Sequence, residues 1–542
     1  MAISEDATSI GEYAFDGCNS LSSIIVPESV TSIGECAFSG CSGLTSITIP
    51  ESVISIGGGA FSGCSGLTSI TIPKSVTSIA QRTFSGCSGL TSIKIPENVT
   101  SIEWYAFSGC SGLTSITIPK SVTSIAQGTF SGCSGLTSIK IPENVTSIEC
   151  DAFEGCSGLN SITIPKNVTS IGSGAFSGCS NLISIEVDSR NSVYDSRNNS
   201  NSIIETNSNR LHTGCKNTII QKGVVSIGTS AFSGCSGLSN IIIPESVTSI
   251  GTSAFLDCSG LSNIIIPESV TRIEERVFSG CSSLSNITIP ESVTGIGEGA
   301  FRYCSNLSDI IIPKSVTGIG EAAFSGCSSL SNIIIPKSVT TIGERVFYEC
   351  KKLSSVIIPE SVTSIGYDAF RNCSSLESIV IPESVTSIGG MTFYNCDKLT
   401  IYCTKNSYAH TYAVEHNIPY KFYSSIPPAV TPTSTACTIV VVDSEYNTPI
   451  PDASVSLIGA SGTTDENGIF QANIEGPSEM FITTTADGYV ADMGAYEVEN
   501  GKTVYIYLIS ETGEFCVTYA KGTIGGSKLY PLSRTNFLTP WV

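Results

Sequence analysis

Cysteine is the residue type here whose number and spacing most invite chemistry. The chain has 22 cysteines in 542 residues. Sixteen recur at a constant step of 23, from Cys18 to Cys179 and again from Cys235 to Cys396. A thiol can serve as nucleophile or metal ligand once ionised, pair into a disulfide, or sit buried as a small apolar group. A fixed step puts one cysteine at the same place in each of a stack of similar units. Neighbours then lie about 5 Å apart, within reach of a disulfide. Their side chains run parallel, however, and a bond requires them to turn toward each other. The spacing is read as a buried thiol ladder, with disulfides or a metal as the alternatives. Cys36, Cys150, Cys215, Cys403, Cys437 and Cys516 fall off the period and are the cysteines expected to react. Cys215 stands where a strand-opening leucine belongs and is expected to be buried.

Other chemistry is sparse. His212, His410 and His416 sit in no metal or catalytic motif, and no phosphate loop, G-x-S-x-G elbow or H-E-x-x-H pair occurs. Asp188, Asp195 and Glu205 gather among asparagines. Their oxygens suit calcium, but the spacing fits no defined loop, so a polar surface excursion is preferred. Sequons at Asn98, Asn144 and Asn167 are by-products of the repeat. No catalytic residue, metal or cofactor is assigned, and the chain is expected not to be an enzyme.

The formal charge of −20 argues against nucleic acid and against an anionic membrane surface, both of which call for clustered cations. No apolar run reaches the length of a membrane span. Met1–Asp6 has neither a basic nor an apolar segment and reads as no signal peptide. The first unit, Ala7–Cys18, is half a repeat, so either the array begins mid-unit or Met1–Asp6 is a minimal cap.

The elements that position the cysteines follow from the same period. A unit such as Leu44 to Cys64 reads L-x-x-I-x-I-P-x-x-V-x-x-I-x-x-x-A-F-x-x-C. L-x-x-I-x-I predicts a short strand with Leu44, Ile47 and Ile49 inward. Pro50 ends it, Val53 and Ile56 return to the core, and Ala60 and Phe61 fill its thick end. Stacking makes one continuous core from units that cannot fold alone. The step from Cys179 to Cys235 is 56 residues, so one unit carries a ten-residue insertion.

This pattern, with 16 Ala-Phe-type pairs over roughly residues 7–423, resembles the BspA-like leucine-rich repeat family. The resemblance implies a mainly β, right-handed solenoid, with an enlarged repeat at 188–222 and a closing cap with a short helix at 399–423. Residues 424–436 read as a Pro/Ser/Thr linker. Residues 437–510 carry Val441-Val-Asp443, Pro449-Ile-Pro-Asp-Ala453, Thr464-Asp-Glu-Asn-Gly-Ile-Phe470 and Ala486-Asp-Gly-Tyr489. They resemble the carboxypeptidase-regulatory-like (transthyretin-like) β-sandwich, which implies a non-catalytic spacer. Residues 511–542 are unassigned.

Solenoids of this kind bind on the concave sheet. The outward strand positions are the second x of L-x-x, the x between the isoleucines, and proline. Before the insertion they give a hydroxyl lawn from Ser46/Thr48 onward, broken by Lys94 and Lys140. After it they give a polar row, Asn240, Asn263, Asn286, Asp309 and Asn332, beside an apolar row, Ile242, Ile265, Ile311, Ile334, Ile357 and Val380. The expected function is protein or glycan binding and adhesion, at a microbial surface or secreted. The alternative is a structural scaffold without a dedicated ligand.

Overall fold

The computed structural model describes residues 3–422, apart from residue 332, and beyond them the backbone of strands between 437 and 522. Two compact units divide the chain, residues 1–423 and 424–542.

In the first unit most coils supply two short strands, one to each of two parallel ladders. Ser46–Thr48 pairs with Ser23–Ile25 on one side and with Ser69–Thr71 on the other. Ser55–Ile56 pairs with Ser32–Ile33 in the second ladder. Register follows the period, with Ile47 opposite Ile70 and Ser46 opposite Ser69. A one-residue slip would turn every inward isoleucine to solvent. Leu44, Ile47, Ile49, Val53, Ile56, Ala60, Phe61 and Cys64 are all buried, as the pattern requires. Proline is a correction. Pro50 and its equivalents from Pro73 to Pro165 are buried rather than outward. The reason is that Pro50 opens a turn, its carbonyl accepting from Val53 N–H at 3.1 Å, between the two ladders.

The third side is a turn built around phenylalanine. Phe61 N–H donates to the Thr83 carbonyl of the next coil at 2.9 Å. The rings stack with centroids 5.4 Å apart at Phe38–Phe61 and 5.7 Å at Phe61–Phe84. Each turn takes left-handed backbone near the Ala-Phe pair, often without glycine, as at Arg82 and Tyr105.

The insertion changes the topology. Tyr194–Asp195, Ser202–Glu205 and Arg210–Gly214 form an antiparallel set, and Arg210 and Leu211 then rejoin a parallel ladder opposite Ser226 and Ile227. It splits the core. Ile203 packs with the N-terminal cluster and Ile204 with the C-terminal one. Among the described residues no ring stack joins Phe176 to Phe232, although each continues a ladder on its own side.

Thr400–Cys403 extends a parallel ladder, and helix Tyr408–Glu415 follows. Ser407 caps it, accepting from His410 N–H. Ala409, Tyr412 and Ala413 turn inward, and the Tyr412 ring meets Phe393 edge-on at 6.0 Å, which ends the ring stack.

The second unit contains two sheets. In one, Cys437–Asp443 lies between Ile469–Ala472 and Thr503–Ser510. In the other, Ser454–Leu457 lies between Ala460–Thr463 and Ser478–Thr485, which also pairs with Asp492–Val498. The linker 424–436, residues 464–468 of the Thr464–Phe470 motif and most of 511–542 lie outside the described residues.

Candidate binding faces

The cysteine column is the chain's densest set of potentially reactive groups. Cys41 to Cys396 are buried at every periodic position. Each thiol but one donates to the phenylalanine carbonyl of the coil before it, as Cys64 Sγ does to Phe38 O at 3.1 Å and Cys110 Sγ to Phe84 O at 3.1 Å; Cys235, just after the insertion, turns to the Gly214 carbonyl at 3.9 Å instead. Burial pushes the Cys110 and Cys156 thiols up to about 12. They stay protonated, so they offer neither a nucleophile nor a metal-binding thiolate. Cys18, in the first coil, is exposed instead. Among the off-pattern cysteines, Cys150 is exposed and Cys36 half-buried, and Cys215 is buried as expected. Cys403 corrects the expectation of reactivity: it faces the core beneath the cap, and burial raises its pKa. The Cys437 and Cys516 side chains lie outside the described residues.

The acidic residues of the insertion are each held by an arginine. Arg190 takes Asp188 bidentately at 3.0 and 2.7 Å. Arg197 takes Asp195 at 2.8 and 2.7 Å. Arg210 lies 3.6 Å from Glu205. The Arg190 hydrogen bonds hold Asp188 down at about 2. These pairs fold the excursion, and among the described residues no cluster of three potential metal ligands forms.

His212 has a role that no motif announced. Ile171 ends the N-terminal second ladder, and the next coil supplies no strand to it. Side chains substitute. Ile171 N–H donates to the Tyr194 hydroxyl at 3.1 Å, and the Ile171 carbonyl takes His212 Nε2–H at 2.9 Å. A carbonyl only accepts, so Nε2 carries the proton and Nδ1 accepts from Thr213 Oγ1 at 2.9 Å. Burial, with Arg210 nearby, holds the imidazole below its ordinary pKa. Tyr194 lies 23 residues after Ile171, so the period itself marked the place.

The strand face is the remaining candidate. Lys94 and Lys140 are exposed, in ladder register with Thr71 and Thr117. They stand two coils apart, about 10 Å. Neither makes an ion pair among the described residues. In the C-terminal half the alternation is sharp. Ile242 is 81 % exposed, Ile265 53 %, Ile311 43 %, Ile334 52 % and Ile357 61 %, while their neighbours Ile241, Ile264, Ile310, Ile333 and Val356 are buried. Val380 is half-buried. Asn240 and Asn263 are exposed beside the row, and Asp309 is half-buried. The Asn286 side chain and Asn332 lie outside the described residues. The division into halves is not strict, because Ile25, in register with Thr48, is 70 % exposed as well.

Known proteins are similar to this chain in sequence. The BspA-type leucine rich repeat region matches residues 8–136, 100–208, 202–330 and 294–417. A leucine-rich repeat protein of Bacteroides ovatus is 30 % identical, covering 78 % of this chain and 91 % of its own, with TM-score 0.39. A leucine rich cell surface protein of Faecalibacterium prausnitzii is 29 % identical, covering 76 % and 94 %, with TM-score 0.42. A leucine-rich repeat protein of Eubacterium ventriosum is 25 % identical, covering 65 % and 82 %, with TM-score 0.42. No curated protein matches the sequence. The family match spans most of the solenoid, and on it this chain belongs to the BspA-type leucine-rich repeat family.

Proposed function

We propose that this chain is a non-catalytic recognition protein that holds a protein ligand along the strand face of its C-terminal half, as an adhesin at the cell surface or outside the cell. The observation that carries the reading is the row from Ile242 to Ile357, five isoleucines exposed at the same position of the repeat, with Ile265 and Ile357 in strands. Strand propensity alone does not explain it. Thr288 occupies the same column opposite Ile265 and makes the same ladder, as do Thr48 and Thr71 elsewhere. A soluble surface rarely keeps so long an apolar row without a partner. The polar row beside it, Asn240, Asn263 and Asp309 with Asn286 and Asn332, would orient the ligand by hydrogen bonds, as Lys94 and Lys140 would in the N-terminal half. Family membership and the surface location named for the Faecalibacterium relative support adhesion. Residues 437–510 serve as a transthyretin-like sandwich spacer, a reading supported by the two sheets and by the motifs on and between their strands.

The test replaces Ile265, Ile311 and Ile334 together by threonine, the residue the column already tolerates. Parent and variant are compared for binding to a panel of extracellular-matrix proteins. We expect the variant to lose binding by about tenfold or more with its unfolding midpoint unchanged. Equal capture by both proteins would remove the proposal.

A further inference from the structure

The solenoid carries an internal comparison. Residues 67–112 and 113–158 are successive pairs of coils, identical at 42 of 46 positions. The four differences are Arg82 against Gly128, Trp104 against Cys150, Tyr105 against Asp151 and Ser108 against Glu154. All four fall on the Ala-Phe turn, outside both strand ladders, and in the first copy they meet. The Arg82 guanidinium lies 4.8 Å from the Trp104 ring and 5.8 Å from the Tyr105 ring. The two rings meet edge to face at 5.9 Å. Ser108 N–H closes the turn on the Tyr105 carbonyl at 3.1 Å.

The fold does not require these side chains. Arg82 and Tyr105 hold φ of 54° and 55°, while Gly128 and Asp151 hold 59° and 58° in the second copy. Glycine takes that conformation freely, and an arginine or tyrosine is held there against its preference. The residues are also matched to one another. A Cβ at Gly128 would sit 2.2 Å from the Tyr105 ring, so glycine there is what lets the tyrosine lie across it. Gln127 then donates to the Tyr105 hydroxyl at 3.3 Å. Trp104 is exposed, as is Arg82. Among the described residues the Arg82 fork has no ion-pair or hydrogen-bond partner, and the Glu103 carboxylate accepts from Gln81 N–H at 3.1 Å instead.

We infer that Arg82, Trp104 and Tyr105 form a second recognition patch, built for a protein segment that presents a carboxylate beside an aromatic side chain. Trp104 covers one face of the guanidinium, and its edge donors are left to grip a carboxylate bidentately. Tryptophan, tyrosine and arginine are the side chains that dominate binding at protein interfaces. The chain's net charge of −20 repels an acidic ligand elsewhere, which makes a local unpaired cation selective. The patch lies on the turn, apart from the Ile242–Ile357 row, so it stands or falls independently of that row.

The test uses Trp104 as its own reporter. The chain has two tryptophans, and Trp541→Phe in the full-length protein leaves Trp104 alone. The probe is a glutamate–tyrosine copolymer, with a lysine–tyrosine copolymer and polygalacturonate run beside it. The expected result is a saturable change in Trp104 emission with the acidic copolymer only. In R82G half-saturation should rise by about tenfold, and in R82K by several-fold, because lysine keeps the charge and loses the fork. R82G introduces the residue the second copy already carries, and an unchanged circular dichroism spectrum confirms its fold. K314T, at an exposed lysine that belongs to neither face, should bind like the parent. Undiminished binding by R82G would overturn the inference. So would equal binding of the lysine copolymer, or binding of polygalacturonate while the acidic copolymer stays silent.

Discussion

Single residues in this solenoid work by repetition. A periodic thiol is a small donor whose partner is the phenylalanine carbonyl one coil back, so its chemistry is spent inside the core. The exposed cysteines escape that fate. We expect iodoacetamide to label Cys18 and Cys150 on the native protein well before Cys110 or Cys133, as mapped by peptide mass spectrometry. Labelling of Cys110 at the rate of Cys150 would show that the column is open. Phenylalanine is the larger contributor. Phe107 is fully buried between Phe84 and Phe130, and Phe107→Ala should lower stability by about 3–5 kcal/mol in chemical denaturation. The sequons have a plain structural account too. Asn144 and Asn167 amides donate to Lys120 and Glu143 carbonyls of the coil before at 2.8 Å, as Ser121 does to Glu97 at 2.9 Å. The asparagine is a serine substitute in a ladder contact.

Elements are where reading from sequence succeeded and where it stopped. Leu44, Ile47 and Ile49 announced one strand because alternation needs only a period of two. The second ladder stayed hidden because Ser55–Ile56 is two residues long, too short to show a period at all. Pro50 was placed outward by continuing the strand alternation through it, but the chain had already turned. His212 was illegible for a different reason. Its partner is a backbone carbonyl 41 residues away, and no side-chain motif can mark that. The seam it closes should respond to acid. His212 is neutral in the fold with its pKa depressed by burial, so the unfolded chain takes up the proton first as pH falls. Stability is therefore full above about pH 6.5 and declines below it, toward the lower folded value. Tyr194, Glu205 and Arg210 face this site and shift the window without reversing it. H212Q keeps a donor for Ile171 and removes the proton. The urea midpoint of the parent should fall between about pH 7.5 and pH 5.5 by more than that of H212Q. Identical declines would contradict the assignment.

At the scale of the molecule, the two core clusters and the interrupted ring ladder make the solenoid two stacked arrays joined through the insertion. The binding rows respect that division only in part, since Ile25 lies far from its C-terminal counterparts. The strand-face residues were legible because outward positions follow from the same alternation that fixes the core. Their exposure was the expectation, and their occupation is the claim. No alternation reveals a partner, and the Arg82–Trp104 patch became visible only when two near-identical copies stood in the same backbone. The central claim is that the Ile242–Ile357 row is covered by a protein ligand. Hydroxyl-radical footprinting of the complex with a captured matrix protein, read by mass spectrometry, tests it most directly. Oxidation of Ile242, Ile265, Ile334 and Ile357 should drop when the partner binds, while that of Ile54, an exposed residue just before the Ser55–Ile56 strand of the other ladder, holds steady. Protection confined to the turn edge or to residues 437–510, with the isoleucine row still reactive, would contradict the account.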